Sequence, residues 1–352
     1  MIRRDIVVIG ASSGGLEALR GLVAGLPANL PAAIFIAVHT SSEAPRLLAE
    51  ILARASSLPV AYAKEHVPIE TGRIYVAPPD RHLLIHRNFV HITNGPKENG
   101  FRPAVDPMFR TAAASYGPRV VGIVLSGGLD DGTRGLLHIK QQGGLAIAQN
   151  IDEAIVPSMP QSAIDNVNVD YVLKTAEMGP MLARLTSLNG EAQEGKGSMS
   201  SDPVHRPTNH NPSHRDSAEI TPDARETGAL QGPPSGFVCP ECGGALWELK
   251  EGNMFEFRCH VGHAYTPDGM VARSTEKIEI ALWTALRVLE DNAALQRRLA
   301  EQTRARGLEG MAIQYDLRSN EIEDRANLIR AIIADPPPQP LDQPVQPPPS
   351  QG

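Results

Sequence analysis

The chain has few cysteines and no long apolar run, and each shortage excludes a class of protein. Three cysteines in 352 residues are too few for a fold that is held together by disulfides. No stretch of about 18 apolar residues occurs, so we expect no membrane-spanning helix. The amino-terminal residues 1–4 lead directly into a strand-like run and lack the apolar segment of a signal peptide. A cytoplasmic location is therefore expected.

Clusters of basic side chains are also missing. The net charge is −7 and no basic stripe is visible, which argues against sequence-independent binding of nucleic acid, because such binding depends on clustered Lys and Arg. What the chain does contain is typical of a globular protein, since 41% of its residues are hydrophobic. Its length predicts two or three domains with a substantial core.

Residues 5–188 alternate strand-like apolar runs with helical patterns, which is typical of an α/β fold with a doubly wound, mostly parallel sheet. Between Arg73 and Thr93 the runs become short and alternating, and this predicts an antiparallel hairpin insertion. The predicted strands of the sheet are Asp5–Ile9, Ala33–Val38, Val60–Ala63, Arg73–Val76, Val120–Leu125 and Leu145–Ala148.

The remaining chain divides by composition. After a first domain over residues 1–188, residues 189–235 are rich in Gly, Ser, Pro, Asn and His, which predicts a disordered linker. We expect a small cysteine-rich module over 236–267, helices over 268–334 and a disordered Pro-rich tail over 335–352. No apolar pattern crosses the linker, so we expect the first domain and the module to be independent.

The first strand leads into the turn GASSGG, residues 10–15. A Gly-x-Ser-x-Gly turn between a strand and a helix exposes its serine hydroxyl above the sheet edge, and the next helix directs its free N–H groups at the same point. Ser12 is therefore a candidate nucleophile.

This turn is also compatible with a purely structural role or with nucleotide binding. Any parallel α/β sheet needs a glycine-rich first turn, and Gly10, Gly14 and Gly15 are similar to the nucleotide-binding turn of short-chain dehydrogenases. The dehydrogenase hypothesis fails at two points. The second strand ends in His39, where a ribose-binding carboxylate is expected, and no Tyr-x-x-x-Lys pair occurs in the chain.

Two further candidates follow other strands of the predicted sheet. His39 follows the second strand, and Asp131 lies in the loop LSGGLDDG, residues 125–132. The carboxyl ends of parallel strands share one edge, so Ser12, His39 and Asp131 are expected to meet there. Alone, His39 could be a packing histidine and Asp131 a helix cap. Together they are the set that nucleophilic acyl transfer requires.

The sequence resembles the methylesterase domain of the CheB family, the protein-glutamate methylesterases of bacterial chemotaxis, over about residues 4–188. The similar segments are IGASSGG (9–15), VH (38–39), GRIYVAPPDRH (72–82), RPAVDPMF (102–109), LSG through DG (125–132) and MP (159–160). The resemblance implies that Ser12 is the nucleophile, His39 the base and Asp131, which precedes the glycine, the catalytic aspartate. Asp130 does not take that role.

The resemblance also implies a reaction and its partners. The expected activity is hydrolysis of glutamyl methyl esters on the cytoplasmic helices of chemoreceptors through an acyl-enzyme, with deamidation of glutamine left open. A receptor methyltransferase is the expected functional counterpart. The backbone N–H groups of Ser13 and Gly14 are candidates for part of the oxyanion hole. The alternative is an inactive chemosensory scaffold with the same fold.

Two features depart from the family. Many members have Met-Gly where this chain has Gly128-Leu129, which changes a side chain near the oxyanion region. Regulated members carry a phospho-accepting receiver domain ahead of the esterase, whereas this chain begins almost at the first strand of the esterase. We therefore expect a stand-alone form without control by phosphorylation in cis.

All three cysteines lie in the second half, in the pattern Cys239-x-x-Cys242 and Cys259-x-x-x-His263. Three thiolates and one imidazole form a tetrahedral ligand set for structural Zn²⁺. We favour His263 over His260, because a residue adjacent to Cys259 rarely points at the same ion. Packing thiols or a redox Cys-x-x-Cys pair are the alternatives.

The helices after the module carry an apolar stripe at Ile278, Leu282, Ala285 and Leu289. This stripe could pack on the module, close a hairpin or form an intermolecular coiled coil, so the oligomeric state stays open. Because the catalytic candidates all precede the linker, we expect residues 1–188 to keep most of the esterase activity without the module.

Overall fold

A computed structural model describes residues 3–187, 232–251 and 254–334. The chain divides into two compact units after Gly269. Most of the predicted linker and the whole of the predicted Pro-rich tail lie outside the described residues. Among the helices that the structure describes, none has a stretch long and apolar enough to cross a membrane.

The first unit is built on a seven-stranded parallel sheet with the strand order β3-β4-β2-β1-β7-β8-β9. Its central strands are buried on both faces, which explains their continuous apolar sequences. The strands are β1 (Ile6–Ala11), β2 (Ala33–Val38), β3 (Val60–Tyr62), β4 (Arg73–Val76), β7 (Val120–Val124), β8 (Leu145–Gln149) and β9 (Tyr171–Leu173). The predicted α/β fold is confirmed.

Helices cover both faces of this sheet. On one face α1 (Gly15–Ala24), α2 (Leu48–Ala55) and α6 (Thr175–Thr186) contribute to one apolar core. On the other face α3 (Val105–Tyr116), α4 (Thr133–Gln141) and α5 (Ser158–Asn166) contribute to a second core. The predicted hairpin is present as β5 (His82–His86) and β6 (Phe89–Thr93), and its apolar side chains join the core that contains α3.

The cysteine-rich module is a four-stranded antiparallel sheet within the same unit. Its strands are β10 (Pro234–Val238), β11 (Ala245–Glu251), β12 (Met254–Cys259) and β13 (Ala264–Tyr265). Strand β10 begins inside the segment that composition assigned to the linker. It is an exposed edge strand, so it carries no apolar pattern that could have revealed it.

The module is joined to the first domain by polar groups, contrary to the expected independence. The N–H of Asn99, in the loop between β6 and α3, donates to the carbonyl of Ala264 over 2.7 Å. The N–H of Thr266 donates to the side chain of Asn99 over 2.8 Å. The absence of an apolar pattern did not exclude contact, because these bonds need no apolar side chains.

The second unit contains a helical hairpin, which was one of the three arrangements considered for the apolar stripe. Helix α7 (Pro267–Ala305) and helix α8 (Glu309–Ala334) are connected by a turn in which Gly307 has a φ of 76°. Arg297 forms an ion pair with Glu323 across the two helices at 2.8 Å. Small residues spaced by seven are buried along the hairpin, namely Ala293, Ala300, Ala312, Ser319 and Ala326.

The packing of α6 on the end of α1 provides a test of the fold. A Cβ added at Gly179 would lie 2.4 Å from the carbonyl oxygen of Gly25. The clash is with backbone, so it outweighs the roughly 1 kcal/mol that alanine gains in a helix. We expect Gly179→Ala to lower the free energy of unfolding by about 1–3 kcal/mol, measured by urea denaturation. Gly128→Ala, where no atom lies within 4 Å of the added Cβ, is the control, and an equal effect of both would contradict this packing.

Candidate active site

Ser12 lies at the carboxyl edge of the sheet, in the turn between β1 and α1. Gly14 precedes the helix with a φ of 73°, a left-handed conformation that favours glycine. The N–H of Ser12 donates to the carbonyl of Ser126 over 2.9 Å, which ties this turn to the loop after β7. The turn is therefore fixed at both its strand and its helix ends.

His39 and Asp131 complete a chain of hydrogen bonds that starts at Ser12. The Nδ1 atom of His39 lies 3.0 Å from the Ser12 hydroxyl oxygen, and its Nε2 lies 2.6 Å from a carboxylate oxygen of Asp131. The side chains of His39 and Asp131 are 3% and 1% exposed. A neutral imidazole with its proton on Nε2 donates to Asp131 and accepts from Ser12. The structure thus brings together the three residues that sequence analysis predicted to meet.

The carboxylate of Asp131 is held by the amino end of α3. The N–H groups of Val105 and Asp106 donate to its two oxygens over 2.7 and 3.1 Å. In return, one carboxylate oxygen of Asp106 accepts the N–H groups of Gly132 and Gly135 over 3.0 and 2.6 Å. Each carboxyl group satisfies donors that a helix start leaves without an intrahelical partner. Sequence analysis did not identify Asp106, although it lies within a family-like segment.

The pKa values of these two buried carboxyl groups shift in opposite directions. Burial raises the pKa of Asp131, but the hydrogen bonds from His39 and the backbone outweigh this, so the pKa falls below its ordinary value. Burial and the neighbouring charge of Asp131 raise the pKa of Asp106 well above its ordinary value. The surroundings therefore favour the charged form at Asp131, beside His39, and disfavour it at Asp106.

Phe101 is a further part of the site that sequence analysis missed. Its ring stacks on the imidazole of His39 with 3.8 Å between ring centroids and 5° between planes. The following Arg102 donates to the carboxylate of Asp80 over 2.7 Å, which anchors this loop. The adjacent family-like segment at 102–109 was the available signal. Phe101 fixes one face of the imidazole, and therefore the orientation of both ring nitrogens.

The region around the Ser12 hydroxyl offers backbone donors. Neither the Ser13 nor the Gly14 N–H donates to a partner within the described part of the chain. Gly127 lies against the serine, and a Cβ at this glycine would be 2.8 Å from the Ser12 Cβ and 2.1 Å from the Met159 sulfur. Gly127 and Met159 therefore form a tight wall beside Ser12, and only glycine fits at position 127.

The three cysteines and His263 are gathered in the module. Their ligand atoms all lie within 4.8 Å of one another. The Cys242 and Cys259 sulfurs are 3.7 Å apart, and the Cys239 sulfur is 3.6 Å from Nδ1 of His263. Four ligands at about 2.3 Å from a tetrahedral Zn²⁺ would have similar spacings. His260 instead packs against Trp247, with 4.1 Å between ring centroids. The three cysteines and His263 could therefore hold one metal ion.

A second group of potential metal ligands lies on the surface near the β5–β6 hairpin. One carboxylate oxygen of Glu65 lies 2.8 Å from Nδ1 of His66 and 2.6 Å from Nδ1 of His91. Glu65 and His66 are exposed, whereas in the cysteine cluster only Cys242 is exposed. A measurement of bound metal therefore has to distinguish ions held by this surface group from ions held by the cysteine cluster.

Comparison with known proteins identifies the catalytic half. The family model described as CheB methylesterase matches residues 7–182, half of the chain. The chain belongs to the CheB methylesterase family. A protein of Leptospira interrogans is 35% identical over 188 residues, which cover 53% of this chain and 97% of that protein.

Further relatives also match about half of the chain. A protein of Anaeromyxobacter dehalogenans named "Protein-glutamate methylesterase/protein-glutamine glutaminase 2" is 38% identical over 184 residues, which cover 52% of this chain and 54% of that protein. The crystal structure of the Thermotoga maritima CheB methylesterase catalytic domain matches with a TM-score of 0.50 and 34% identity. This match covers 52% of this chain and all of that domain.

The departure from the CheB pattern in the loop after β7 has a structural consequence. Leu129 adopts a φ of 62°, a left-handed conformation that favours glycine, which is the residue many family members have there. At Gly128, where those members have Met, a Cβ would have no atom within 4 Å. The replacement of Met-Gly by Gly128-Leu129 therefore leaves open space at position 128. It also places Leu129 in a strained conformation two residues before Asp131.

Asp130 lies in the same loop, and its shifted pKa allows a test of the electrostatics there. Burial and the charges of Asp268 and Asp131, opposed by a hydrogen bond from Thr266, raise its pKa from 3.8 to about 6. Above pH 6 the folded protein carries a buried charge that costs at most about 3 kcal/mol. Below about pH 4 the folded and unfolded states are both protonated, and the cost disappears.

We expect Asp130→Asn, which keeps an acceptor oxygen for Thr266, to raise the melting temperature at pH 7.5 and to change it little at pH 4. Calorimetry at both pH values measures this difference. Asp152→Asn, at an exposed carboxyl group, is the control and should have little effect at either pH. A gain for Asp130→Asn that is as large at pH 4 as at pH 7.5 would contradict the assigned cause.

Proposed function

We propose that this chain hydrolyses methyl esters of glutamate side chains on receptor proteins, with Ser12, His39 and Asp131 as its catalytic triad. The observation that carries the proposal is the continuous chain of hydrogen bonds from the Ser12 hydroxyl through His39 to Asp131. Membership of the CheB methylesterase family and the names of its relatives support the substrate class. An inactive scaffold would not require this buried arrangement.

The geometry suggests how the residues share the reaction. The Ser12 oxygen attacks the ester carbonyl while Nδ1 of His39 takes its proton, and methanol leaves with that proton. Water, deprotonated by the same nitrogen, then hydrolyses the glutamyl-serine ester and leaves a carboxylate. Asp131 stabilises the imidazolium through its bond to Nε2. The N–H groups of Ser13 and Gly14 would stabilise the negative oxygen of each tetrahedral intermediate.

The same groups would also release ammonia from a glutamine side chain, in keeping with the second activity in the name of the Anaeromyxobacter relative. The proposed macromolecular substrate is the cytoplasmic helices of a methylated chemoreceptor. A receptor methyltransferase would supply the esters that this enzyme removes. Both partners would place the reaction in the cytoplasm.

Replacing the nucleophile tests this function. We expect Ser12→Ala to lower the rate of methanol release from methylated receptor by a factor on the order of 10³–10⁴ or more, because no other group can form the acyl-enzyme. Ser187→Ala, at an exposed serine outside the site, is the matched control and should keep wild-type turnover. A Ser12→Ala protein with near wild-type turnover would exclude Ser12 as the nucleophile.

We also propose that Cys239, Cys242, Cys259 and His263 bind Zn²⁺. Three thiolates and an imidazole suit this metal, and four protein ligands leave no open coordination position for a substrate. The ion would therefore have a structural role. A sheet as small as β10–β13 buries little apolar surface, so a metal ion would supply much of its stability.

Metal content tests this assignment. We expect Cys242→Ser to lose one equivalent of zinc, because it removes a ligand at an exposed position without opening a core cavity. His260→Asn should retain that equivalent. Both are measured by mass spectrometry of the metal in a His91→Asn background, which removes a ligand of the surface group. If His260→Asn loses zinc and Cys242→Ser does not, the ligand assignment is wrong.

A further inference from the structure

We infer that the metal-binding module is a positioning element of the active site, which holds Phe101 against His39 and Asp130 beside Asp131 through strand β13 and Thr266. This inference deepens the proposed esterase function and rests on it. Thr266 and Asn99 are assigned as positioning residues, since neither contacts Ser12 or the other reacting groups.

The first connection runs from the module to the imidazole. Strand β13 forms a parallel bridge with the first domain between Ala264 and Glu98, and the N–H of Asn99 donates to the Ala264 carbonyl over 2.7 Å. Glu98 and Phe101 exchange backbone hydrogen bonds of 3.2 and 2.9 Å across a tight turn. The ring of Phe101 extends from this turn onto His39. Movement of β13 would therefore be passed to the imidazole.

The second connection runs from the module to the loop of the aspartate. The N–H of Thr266 donates to the side-chain oxygen of Asn99 over 2.8 Å, and its hydroxyl donates to the carboxylate of Asp130 over 2.8 Å. Thr266 is buried, so water cannot easily replace these bonds. Because Asp130 and Asp131 share a peptide bond, a fixed Asp130 side chain restrains the backbone that presents Asp131 to His39.

Buried charges form a third connection, to α3, whose amino end holds Asp131, and to α4, which begins just after Asp131. Arg134 of α4 pairs with Glu256 of β12, and Glu256 also pairs with Arg258 at 2.5 Å. Glu98, at the β13 bridge, pairs with Arg110 of α3 at 2.8 Å. Burial raises the pKa of Glu98, but the charge of Arg110 outweighs it and lowers the pKa to about 2, so this pair stays charged.

The proposed metal ligands directly flank the strand that makes these contacts. Strand β12 ends at Cys259, β13 begins immediately after His263, and the Cys259 N–H donates to the His263 carbonyl over 3.0 Å. The sulfur of Cys239 lies 3.6 Å from the hydroxyl of Tyr265 in β13. An ion shared by these ligands would fix the turn before β13. Loss of the ion would release the strand, and with it the contacts of Ala264 and Thr266.

A hydroxyl deletion in the full-length protein tests the connection without touching the metal. Thr266→Val removes the bond from the hydroxyl to Asp130 and the bond that the hydroxyl accepts from the Gly269 N–H. We expect it to lower kcat about tenfold with KM changed less than about twofold, because the bond to Asp130 orients proton-transfer groups. Thr266→Ser, which restores the hydroxyl, should recover most of kcat. Thr284→Val, at an exposed position of α7, is the matched control and should match the wild type.

Hydrogen exchange gives a readout that does not depend on activity. The N–H groups of Val105 and Asp106 donate to Asp131, so their exchange should accelerate in Thr266→Val and return towards the wild-type rate in Thr266→Ser. A Thr266→Val protein with unchanged kcat and unchanged exchange at these two positions overturns the inference. So does a loss of kcat that Thr266→Ser fails to recover.

Metal removal forms the second arm. We expect Cys242→Ser, or wild-type protein treated with a chelator, to lose about 10²-fold in kcat and to exchange faster over residues 98–106, with zinc restoring both in the chelated wild type. Wild-type kcat in protein shown to be free of zinc overturns the inference. If the wild type releases no methanol, the proposed function fails instead, and the exchange rates over residues 98–106 alone decide whether the module positions this region.

Discussion

Two helix starts exchange hydrogen bonds at the centre of this site, and the arrangement of Ser12, His39 and Asp131 depends on that exchange. Asp131 accepts the first N–H groups of α3, while Asp106 on α3 accepts N–H groups at the start of α4. Neither helix can shift along its axis without leaving buried donors unpaired, which is costly. The position of the aspartate is therefore set by the packing of two helices, and the imidazole adjusts to it.

The same exchange separates the roles of two carboxyl groups that lie close together. Two ionised carboxylates in one buried place repel each other, so the environment has to favour one of them. The two oxygens of Asp131 share three donors, which are the imidazole N–H and two backbone N–H groups. Asp106 instead accepts its two backbone N–H groups on a single oxygen. The hydrogen-bond pattern thus directs the negative charge to the group that faces His39.

Much of this could be predicted from the sequence, because the relevant residues end strands. Ser12, His39 and Asp131 each follow an apolar run, and parallel strands place such positions at one edge. Asp106 and Phe101 could not be found in this way, since their roles depend on the distance between separate loops and helices. Strand β9, which is three residues long and only partly buried, was not predicted. The cysteine pattern identified the cluster that could hold a metal ion, because the spacing of such residues is local.

The relation between the module and the first domain was predicted wrongly for a different reason. An apolar pattern is the usual signal that one part of a chain packs on another, and none links these two parts. The contact is made by the backbone of Asn99 and Ala264, by the Thr266 hydroxyl and by buried ion pairs. Polar and charged residues are far more often on the surface, so their pattern in a sequence does not distinguish a buried contact from a solvated face.

The bond between the Asn99 N–H and the Ala264 carbonyl uses main-chain atoms alone. Side-chain substitution at either position leaves both atoms in place, so Asn99→Ala would test the bond from the Thr266 N–H to the Asn99 side chain but not this main-chain bond. Only a change to the backbone itself, such as proline at position 99, removes the donor. Ala264 takes part in this bond through its carbonyl alone, so sequence variability at position 264 would be a poor guide to its importance.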